Sequence, residues 1–330
     1  MKSIAKSSSD LDAIESLLSS QSSEFRKLWN DYIKGIKSDE TLEAVATFLA
    51  SGQVNLAIEY IQDQSEKFNS AFVLMFIAAA NFEIQSLAKE IKRELGLNYV
   101  KTYDSLNYFS NQQIITLQNN FKNAMKDGQQ KLITSIIVDA RSKSLDADAT
   151  AKTIIDNLGL TEKQYRAVER YRELLKKNSR DSLKRHLRNK SMDGLVDEAI
   201  KNGSPLSESQ IERLVRAYKR NYEKSRARMI LNTQTKEITE AARQAGAEQV
   251  ADELGIPVSE IVKEWRSMRD EQVRPTHQHG SLDGQIVPLD GVFVSSSGAR
   301  LRYPGDASAP LSEIANCRCR VIRRLRYNRT

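Results

Sequence analysis

Apolar residues recur every three or four positions through most of the chain, a spacing that predicts amphipathic helices. One such stripe between residues 24 and 100 comprises Phe72, Met75, Phe76, Ala79 and Phe82. Another, between residues 110 and 140, comprises Ile114, Leu117, Phe121, Met125, Leu132, Ile136 and Ile137. Aromatic and methionine side chains at this spacing are typical of a packed core, so the pattern predicts a body of helices.

Local start and stop signals bound several of these helices. Thr161 followed by Gln164 has the form of a capping box, and so does Ser207 followed by Gln210. Gly96 follows an apolar helical run, and it predicts a helix end because glycine readily adopts the left-handed conformation that closes many helices.

The hydrophobic period changes after Gly255-Ile256-Pro257. Five short segments with strand-like composition follow, at 261–268, 285–287, 291–294, 300–303 and 320–325. Ser297-Gly298 has the form of a turn between two of them, and Pro310 suits the first turn of a small helix. The sequence therefore predicts a mainly α fold, in which an elongated helical body is followed by a small C-terminal α+β domain.

The same changes in composition and period divide the chain into four parts. Residues 1–23 are rich in serine and acidic side chains, which predicts a flexible N-terminal arm. An N-terminal helical region over 24–100 and a central helical region over 101–255 come next, and 256–330 form the α+β domain with its basic tail. The apolar run 71–80 is too short to cross a bilayer, so we expect no membrane span.

A set of aromatic, polar and turn-forming residues stands in order within the α+β domain. Its members are Trp265, Asp270, Arg274, His277, Gly280, Phe293, Pro304, Gly305, Asp306, Asn316, Cys317 and Cys319. This order resembles the Mu F-like minor head proteins, the phage head morphogenesis family of tailed bacteriophages. The resemblance extends over about residues 107–326, and an ordered set of this size is more specific than a single short motif.

A helix motif of the same family, Ala-x-x-Ile-Ala-Arg-Thr-Glu, resembles residues 227–234. The departures are Leu231, Asn232 and Gln234. Neutral amides thus stand where the family has an arginine and a glutamate. A hydrogen bond could therefore take the place of a salt bridge between this helix and the terminal domain.

The resemblance implies a structural protein of the phage head, with no catalytic residues. It implies a core filled by Trp265, Phe293 and Tyr303, a polar network of Asp270, Arg274 and His277, and turns set by Gly280, Gly305 and Asp306. It also implies a minor capsid protein that associates with the portal protein and takes part in procapsid assembly and in genome packaging or ejection. Further candidate partners are the major capsid or scaffolding protein and packaged DNA. The expected location is the virion head or portal vertex, and the host cytoplasm during assembly.

The balance of charge favours an acidic partner. Lysine and arginine outnumber aspartate and glutamate by 50 to 43, which gives a formal net charge of +7. Arginines in alternation on a strand place guanidinium groups on one face, where they suit phosphates or carboxylates. The residues expected to contact DNA or the portal are Arg320, Arg323, Arg324 and Arg326. A separate basic set, spaced to stripe a helix, is Arg213, Arg216, Lys219, Arg220, Lys224, Arg226 and Arg228. Ordinary solvated surface is the alternative interpretation of both sets.

Two histidines and both cysteines of the chain suggest a metal site. His277, His279, Cys317 and Cys319 provide two imidazoles and two thiolates, a ligand set that suits tetrahedral zinc. The alternative is a hydrogen-bonded core with buried thiols. Zinc is the one cofactor that the residues suggest, and a Cys317–Cys319 disulfide would be strained.

Two functions of other classes stay open beside the head protein. One is a phage-delivered effector or toxin-related enzyme, although the sequence shows no phosphate-binding glycine loop and no His-Glu-x-x-His helix. The other is a sequence-independent DNA-binding protein. For single strands it would need aromatic residues among the basic ones, and Tyr218 and Tyr222 are the candidates.

Overall fold

Helices dominate the computed structural model, which describes residues 8–106, 108–268 and 279–326. The chain is 71% helical, and its small antiparallel strands lie in the C-terminal region, as the sequence predicts. The helices are α1 (Ser8–Ile36), α2 (Asp39–Ala50), α3 (Val54–Asp63), α4 (Asn69–Leu95), α5 (Tyr108–Ser142), α6 (Ala147–Asn157), α7 (Glu162–Lys176), α8 (Asp193–Asn202), α9 (Glu208–Leu254) and α10 (Leu311–Ile314). The strands are β1 (Ile261–Arg266), β2 (Ile286–Pro288), β3 (Phe293–Val294), β4 (Arg300–Leu301) and β5 (Arg320–Leu325).

The predicted capping signals form as expected. At the start of α7, the backbone N–H of Gln164 donates to Thr161 Oγ1 at 3.2 Å, and the backbone N–H of Thr161 donates to Gln164 Oε1 at 2.9 Å. Ser207 and Gln210 exchange the same pair of bonds at the start of α9. Gly96 closes α4 with φ of 68°. Each bond satisfies a backbone group that a helix end would otherwise leave without a partner.

The expectation of a flexible arm over residues 1–23 does not hold for residues 8–23, which form the first half of α1. Ile14, Gln21 and Phe25 lie on one helix face at spacings of seven and four, and all three are buried. Gln21 Nε2 also donates to the backbone oxygen of Met75 at 2.8 Å. The many serines of this segment favoured an irregular arm in the sequence analysis, although its apolar residues have the spacing of an amphipathic helix. Residues 1–7 lie outside the described part of the chain.

The chain divides into two compact units, and each is assembled from segments that are distant in sequence. Unit 1 comprises Met1–Leu28, Lys67–Phe121 and Met229–Thr330, and unit 2 comprises Trp29–Glu66 and Lys122–Arg228. Helices α1, α5 and α9 therefore contribute residues to both units. The linear four-part division stays a prediction.

The helical core of unit 1 is built on aromatic contacts. Phe25 of α1 packs against Phe68 and Phe72 with ring centroids 5.5 and 5.8 Å apart, and Phe121 of α5 lies 5.1 Å from Phe68. Each fully buried phenylalanine removes a large apolar area from water, which stabilises the fold by about 2–3 kcal/mol.

Helix α4 is the central apolar helix of unit 1. By length and composition alone it could cross a membrane, but half of its most apolar stretch is buried inside the protein. A Cβ atom at Gly246 of α9 would lie 2.5 Å from the backbone oxygen of Ala80 in α4. This close approach requires glycine, and it shows that α4 packs as a core helix.

In unit 2, tyrosines and ion pairs join the helices. Tyr171 of α7 stacks on Tyr218 of α9 with centroids 4.4 Å apart, and Tyr222 packs edge-on against Tyr218. Arg166 of α7 donates to both carboxylate oxygens of Asp139 in α5 at 2.6 Å.

The strands form one three-stranded antiparallel sheet in the order β2-β1-β5 and one hairpin of β3 and β4. Trp265 pairs with Val321 across the sheet, and Phe293 pairs with Leu301 in the hairpin. The hairpin turn contains Gly298 with φ of 84°, a conformation that favours glycine. Strand β5 packs against α4, so the sheet belongs to the same core as the helices of unit 1.

Candidate functional site

Aromatic side chains fill the space beside the sheet. Trp265 of β1 is fully buried, and its ring lies edge-on to Phe293 of β3 at 5.0 Å and to His279 at 5.3 Å. Tyr303 is also buried. His279 begins the short 3-10 turn His279–Leu282, in which Gly280 accepts a backbone hydrogen bond from Asp283. The edge-on packing fixes the imidazole plane against the indole.

The Pro304-Gly305-Asp306 turn lies against α9. Gly305 has φ of 85°, and a Cβ atom there would lie 2.9 Å from Lys236 Cγ and 3.2 Å from the backbone nitrogen of Glu237. Asp306 is fully buried and accepts from the Arg302 amide at 2.8 Å. Glycine is therefore required both by the backbone conformation and by the contact with the helix.

Asn316 connects the terminal region to α9. Its φ of 54° lies in the left-handed region, which asparagine tolerates better than most residues. The Asn316 amide donates to Thr233 Oγ1 at 3.1 Å, and Asn232 Nδ2 donates to Asn316 Oδ1 at 3.3 Å. The hydrogen bond expected in place of a salt bridge is therefore present, and it joins Asn232 of α9 to Asn316. Gln234 instead donates to Glu237 on its own helix.

His279, Cys317 and Cys319 converge in a buried cluster. Their ligand atoms all lie within 4.8 Å of one another. His279 Nδ1 is 3.5 Å from Cys317 Sγ and 3.7 Å from Cys319 Sγ. The other ring nitrogen, Nε2, lies 2.8 Å from Oε2 of Glu313 in α10. Sequence reasoning missed Glu313, whose only signal was its place in a short helix just before the cysteines.

The electrostatics of the cluster favour a thiolate. Hydrogen bonding with Cys319 and His279 lowers the pKa of the Cys317 thiol well below its usual range, while contact with Cys317 and burial raise the pKa of Cys319. Burial alone would lower the pKa of His279, but its contacts with Cys317 and Glu313 raise it. Both sulfurs are buried, so the arrangement suits the binding of a soft cation better than attack on a substrate.

Several residues of the ordered motif cannot be placed. Asp270, Arg274 and His277 lie outside the described residues. The polar network predicted for them, and the second histidine of the predicted zinc set, therefore stay predictions.

Three of the four tail arginines, Arg320, Arg323 and Arg324, meet carboxylates of the chain itself, which corrects the expectation of a row facing a partner. Arg323 of β5 is fully buried, and its Nη1 lies 3.4 Å from Glu240 Oε2. Its Nε donates to Gln244 Oε1 at 3.3 Å. In the same network, Arg243 Nε donates to Glu83 Oε2 of α4 at 2.6 Å. Buried guanidinium groups need such partners, so Arg323 serves the core and not a surface.

The other tail arginines differ in exposure. Arg320 pairs with Glu15 of α1, and Arg324 Nη1 lies 2.8 Å from Glu264 Oε2 of β1. Arg326 has an exposed side chain, and its amide donates to the backbone oxygen of Glu260. Of the four arginines, Arg326 is the one placed to meet a partner.

Comparison with known families gives one match. Residues 190–322 match a family described as Phage Mu protein F like protein. Over these residues, which are less than half of the chain, the protein is similar to the Mu F-like family. The match supports a phage head morphogenesis protein, located in the virion head or its assembly and with capsid-related partners, and the family is one of structural head proteins. No curated protein and no solved structure matches the chain.

The Mu F-like region includes a basic surface on α9. Five of the seven residues of the predicted helix stripe are exposed: Arg213, Arg216, Arg220, Lys224 and Arg228. Arg226 is buried and Lys219 half-buried. We call the five exposed residues the α9 basic stripe. The nearby Glu212 and Glu223 pair elsewhere, with Arg172 and Lys37.

Sequence reasoning also missed three buried ionisable residues of the Mu F-like region. Lys236 is buried and donates from Nζ to the backbone oxygen of Cys319 at 2.9 Å. Burial raises the pKa of Glu237 to about 7 and lowers the pKa of Lys263 to about 7. Lys263 Nζ donates to the backbone oxygen of Gly291 at 2.8 Å. For Lys236 and Glu237 the signal is the alanine and glycine content of 241–247, which allows α9 to be covered on every side.

Proposed function

We propose that the chain is a minor head protein of a tailed phage or prophage that joins the portal vertex during procapsid assembly in the host cytoplasm. The match of residues 190–322 to the Mu F-like family carries this proposal. The portal protein is the primary partner, and the scaffolding or major capsid protein would be met during the same assembly.

The α9 basic stripe is the surface that suits an acidic partner. Its residues are spaced by three or four along one helix, so their side chains lie on one face. From Arg213 to Arg228 the helix rises about 22 Å, since each residue adds about 1.5 Å. Within the described residues no ion pair holds these five side chains, so their charges are available to a partner.

An acidic protein surface fits the α9 basic stripe better than single-stranded nucleic acid. Tyr218 is buried and packed between Tyr171 and Tyr222. Tyr218 therefore offers no exposed ring on which a base could stack, although stacking supplies much of the affinity of single-strand binding proteins. Duplex DNA, which needs only phosphate contacts, is the second candidate partner.

The test is incorporation into procapsids assembled from portal, scaffolding and major capsid proteins. The variant Arg220→Glu/Lys224→Glu reverses two central charges of the α9 basic stripe. Lys131→Glu/Arg141→Glu is the matched control, since it makes the same change of charge at exposed positions of α5. We expect the stripe variant to lose most incorporation and the control to retain it, because like charges at an interface cost several kcal/mol.

Two other outcomes separate the candidates. Equal incorporation of both variants would contradict the portal contact. If the stripe variant is incorporated normally but binds duplex DNA more weakly, with a salt slope smaller by about 0.9 for each phosphate that it no longer meets, the stripe binds the genome.

A further inference from the structure

The three residues of the buried cluster come from segments that the fold brings together. His279 begins the 3-10 turn after β1, whereas Cys317 and Cys319 precede β5, the neighbour of β1 in the sheet. Residues two apart in an extended segment point to the same side, so both sulfurs face the imidazole. All three side chains are at least nine-tenths buried.

The two nitrogen–sulfur distances of the cluster match those of a tetrahedral zinc site. With zinc–sulfur bonds of about 2.3 Å and zinc–nitrogen bonds of about 2.05 Å, a tetrahedral angle places sulfur and nitrogen about 3.6 Å apart. His279 Nδ1 lies 3.5 Å from Cys317 Sγ and 3.7 Å from Cys319 Sγ. These two distances, together with the convergence of all three ligand atoms within 4.8 Å, provide a place where one ion could be bound by all three.

Glu313 orients the histidine for this task. Its Oε2 lies 2.8 Å from His279 Nε2, and its Oε1 accepts from Ser297 Oγ at 2.5 Å. A carboxylate that accepts the Nε2 proton leaves the Nδ1 lone pair directed at the metal, as in many zinc sites. Trp265 covers the ring from the side at 5.3 Å. The residues that would orient the ligands are thus already in place.

Charge balance also favours a divalent ion. Two thiolates and one zinc ion sum to zero, so the complete site adds no net charge to the core. The Lys236 ammonium group donates to the backbone oxygen of Cys319 at 2.9 Å, and it adds a positive charge beside the sulfurs. This charge favours the thiolate form that a metal requires.

We propose that His279 Nδ1, Cys317 Sγ and Cys319 Sγ bind a structural zinc ion, with Glu313 as a positioning residue. The ion would join the turn after β1 to the segment before β5. A tetrahedral ion keeps a fourth position for water or a further ligand. His277, the other histidine of the predicted set, lies outside the described residues and is not counted in the site.

The first measurement is the metal content of the full chain purified without chelator. We expect about one zinc per chain. His279→Ala should lose the metal, whereas His186→Ala, at an exposed histidine outside the cluster, should retain it. Glu313→Gln should keep the site but weaken zinc affinity by about 10- to 100-fold in competition with a chromogenic chelator.

A second measurement does not depend on the folding of any variant. Cobalt(II) replaces zinc in the wild-type chain, and thiolate ligation then gives a sulfur-to-cobalt charge-transfer band. The chain has two cysteines, so such a band can arise only from Cys317 and Cys319. A band that zinc displaces supports the site. Absence of both zinc and the cobalt band would overturn the proposal, and so would full metal retention in His279→Ala.

Discussion

Glu237 is a buried carboxylic acid whose ionisation opposes folding. It lies on α9 beside the Pro304–Asp306 turn, Gln234 is its hydrogen-bond donor, and burial raises its pKa from 4.5 to about 7. A raised carboxyl pKa means that the folded state binds the proton more tightly. The contribution of Glu237 to the stability of the folded state is therefore most favourable below pH 4.5, and it is lost as the pH rises through about 7. At pH 8, a pKa shift of this size lowers the free energy of unfolding by roughly 3 kcal/mol.

We expect Glu237→Gln to raise the free energy of unfolding at pH 8 by up to about 3 kcal/mol and to change it little at pH 4.5. The amide keeps the shape of the protonated acid but cannot ionise. Urea unfolding followed by Trp265 fluorescence, in a shared Trp29→Phe background, measures the difference. Asp252→Asn, at an exposed position of α9, is the control and should show no such dependence on pH. If Glu237→Gln raised the free energy of unfolding equally at both pH values, the claim that ionisation of Glu237 opposes folding would be wrong.

At the residue scale, the sequence predicts where motif residues belong but not what they meet. Burial of Trp265 and Phe293 follows from their place in apolar strand patterns. The sequence indicated a hydrogen bond between the helix of Asn232 and the terminal domain, because neutral amides stand where the family has charged residues, but it did not identify Asn316 as the partner. The contact of His279 with Glu313 joins residues 34 positions apart, and no local pattern specifies it.

At the scale of the elements, hydrophobic periodicity predicts the burial of the middle of α9 least well. Residues 235–247 are buried without interruption. A helix covered on all sides loses the polar face that identifies an amphipathic helix, so its charged residues resemble surface residues in the sequence. The short strands were predicted closely because alternation and turn residues are local signals.

Strand β5, α4 and α9 are joined by a network of two arginines and two glutamates. Arg323→Met keeps most of the side-chain volume but leaves Glu240 and Glu83 with Arg243 alone. We expect a loss of about 3–5 kcal/mol in the free energy of unfolding, because one buried carboxylate then lacks its counter-charge. Chemical denaturation measures it.

The exposed Arg326 supplies the matched control, and Arg326→Ala should change stability by no more than about 0.5 kcal/mol. Glu240→Gln in the Arg323→Met background should recover part of the loss, since it removes the uncompensated charge. If Arg323→Met proves as harmless as Arg326→Ala, the network of buried charges does not stabilise the fold.

For the whole molecule, the division into two units escaped sequence reasoning. Each unit combines segments that are distant in sequence, and α1, α5 and α9 contribute to both. Composition and hydrophobic period divide a chain only into continuous segments, so they could not indicate that each compact unit combines distant ones. The net charge of +7 pointed to an acidic partner. It could not show that Arg320, Arg323 and Arg324 pair within the chain while exposed arginines and a lysine lie along α9.

The most direct test of the proposed role is an asymmetric electron cryo-microscopy reconstruction of procapsids from the phage that encodes this chain. The helices and sheet of unit 1 provide a shape that can be recognised in the density. We expect it at the single portal vertex, with the α9 basic stripe facing an acidic surface. Heads that contain no density for the chain, or that carry it uniformly over the shell, would contradict the account.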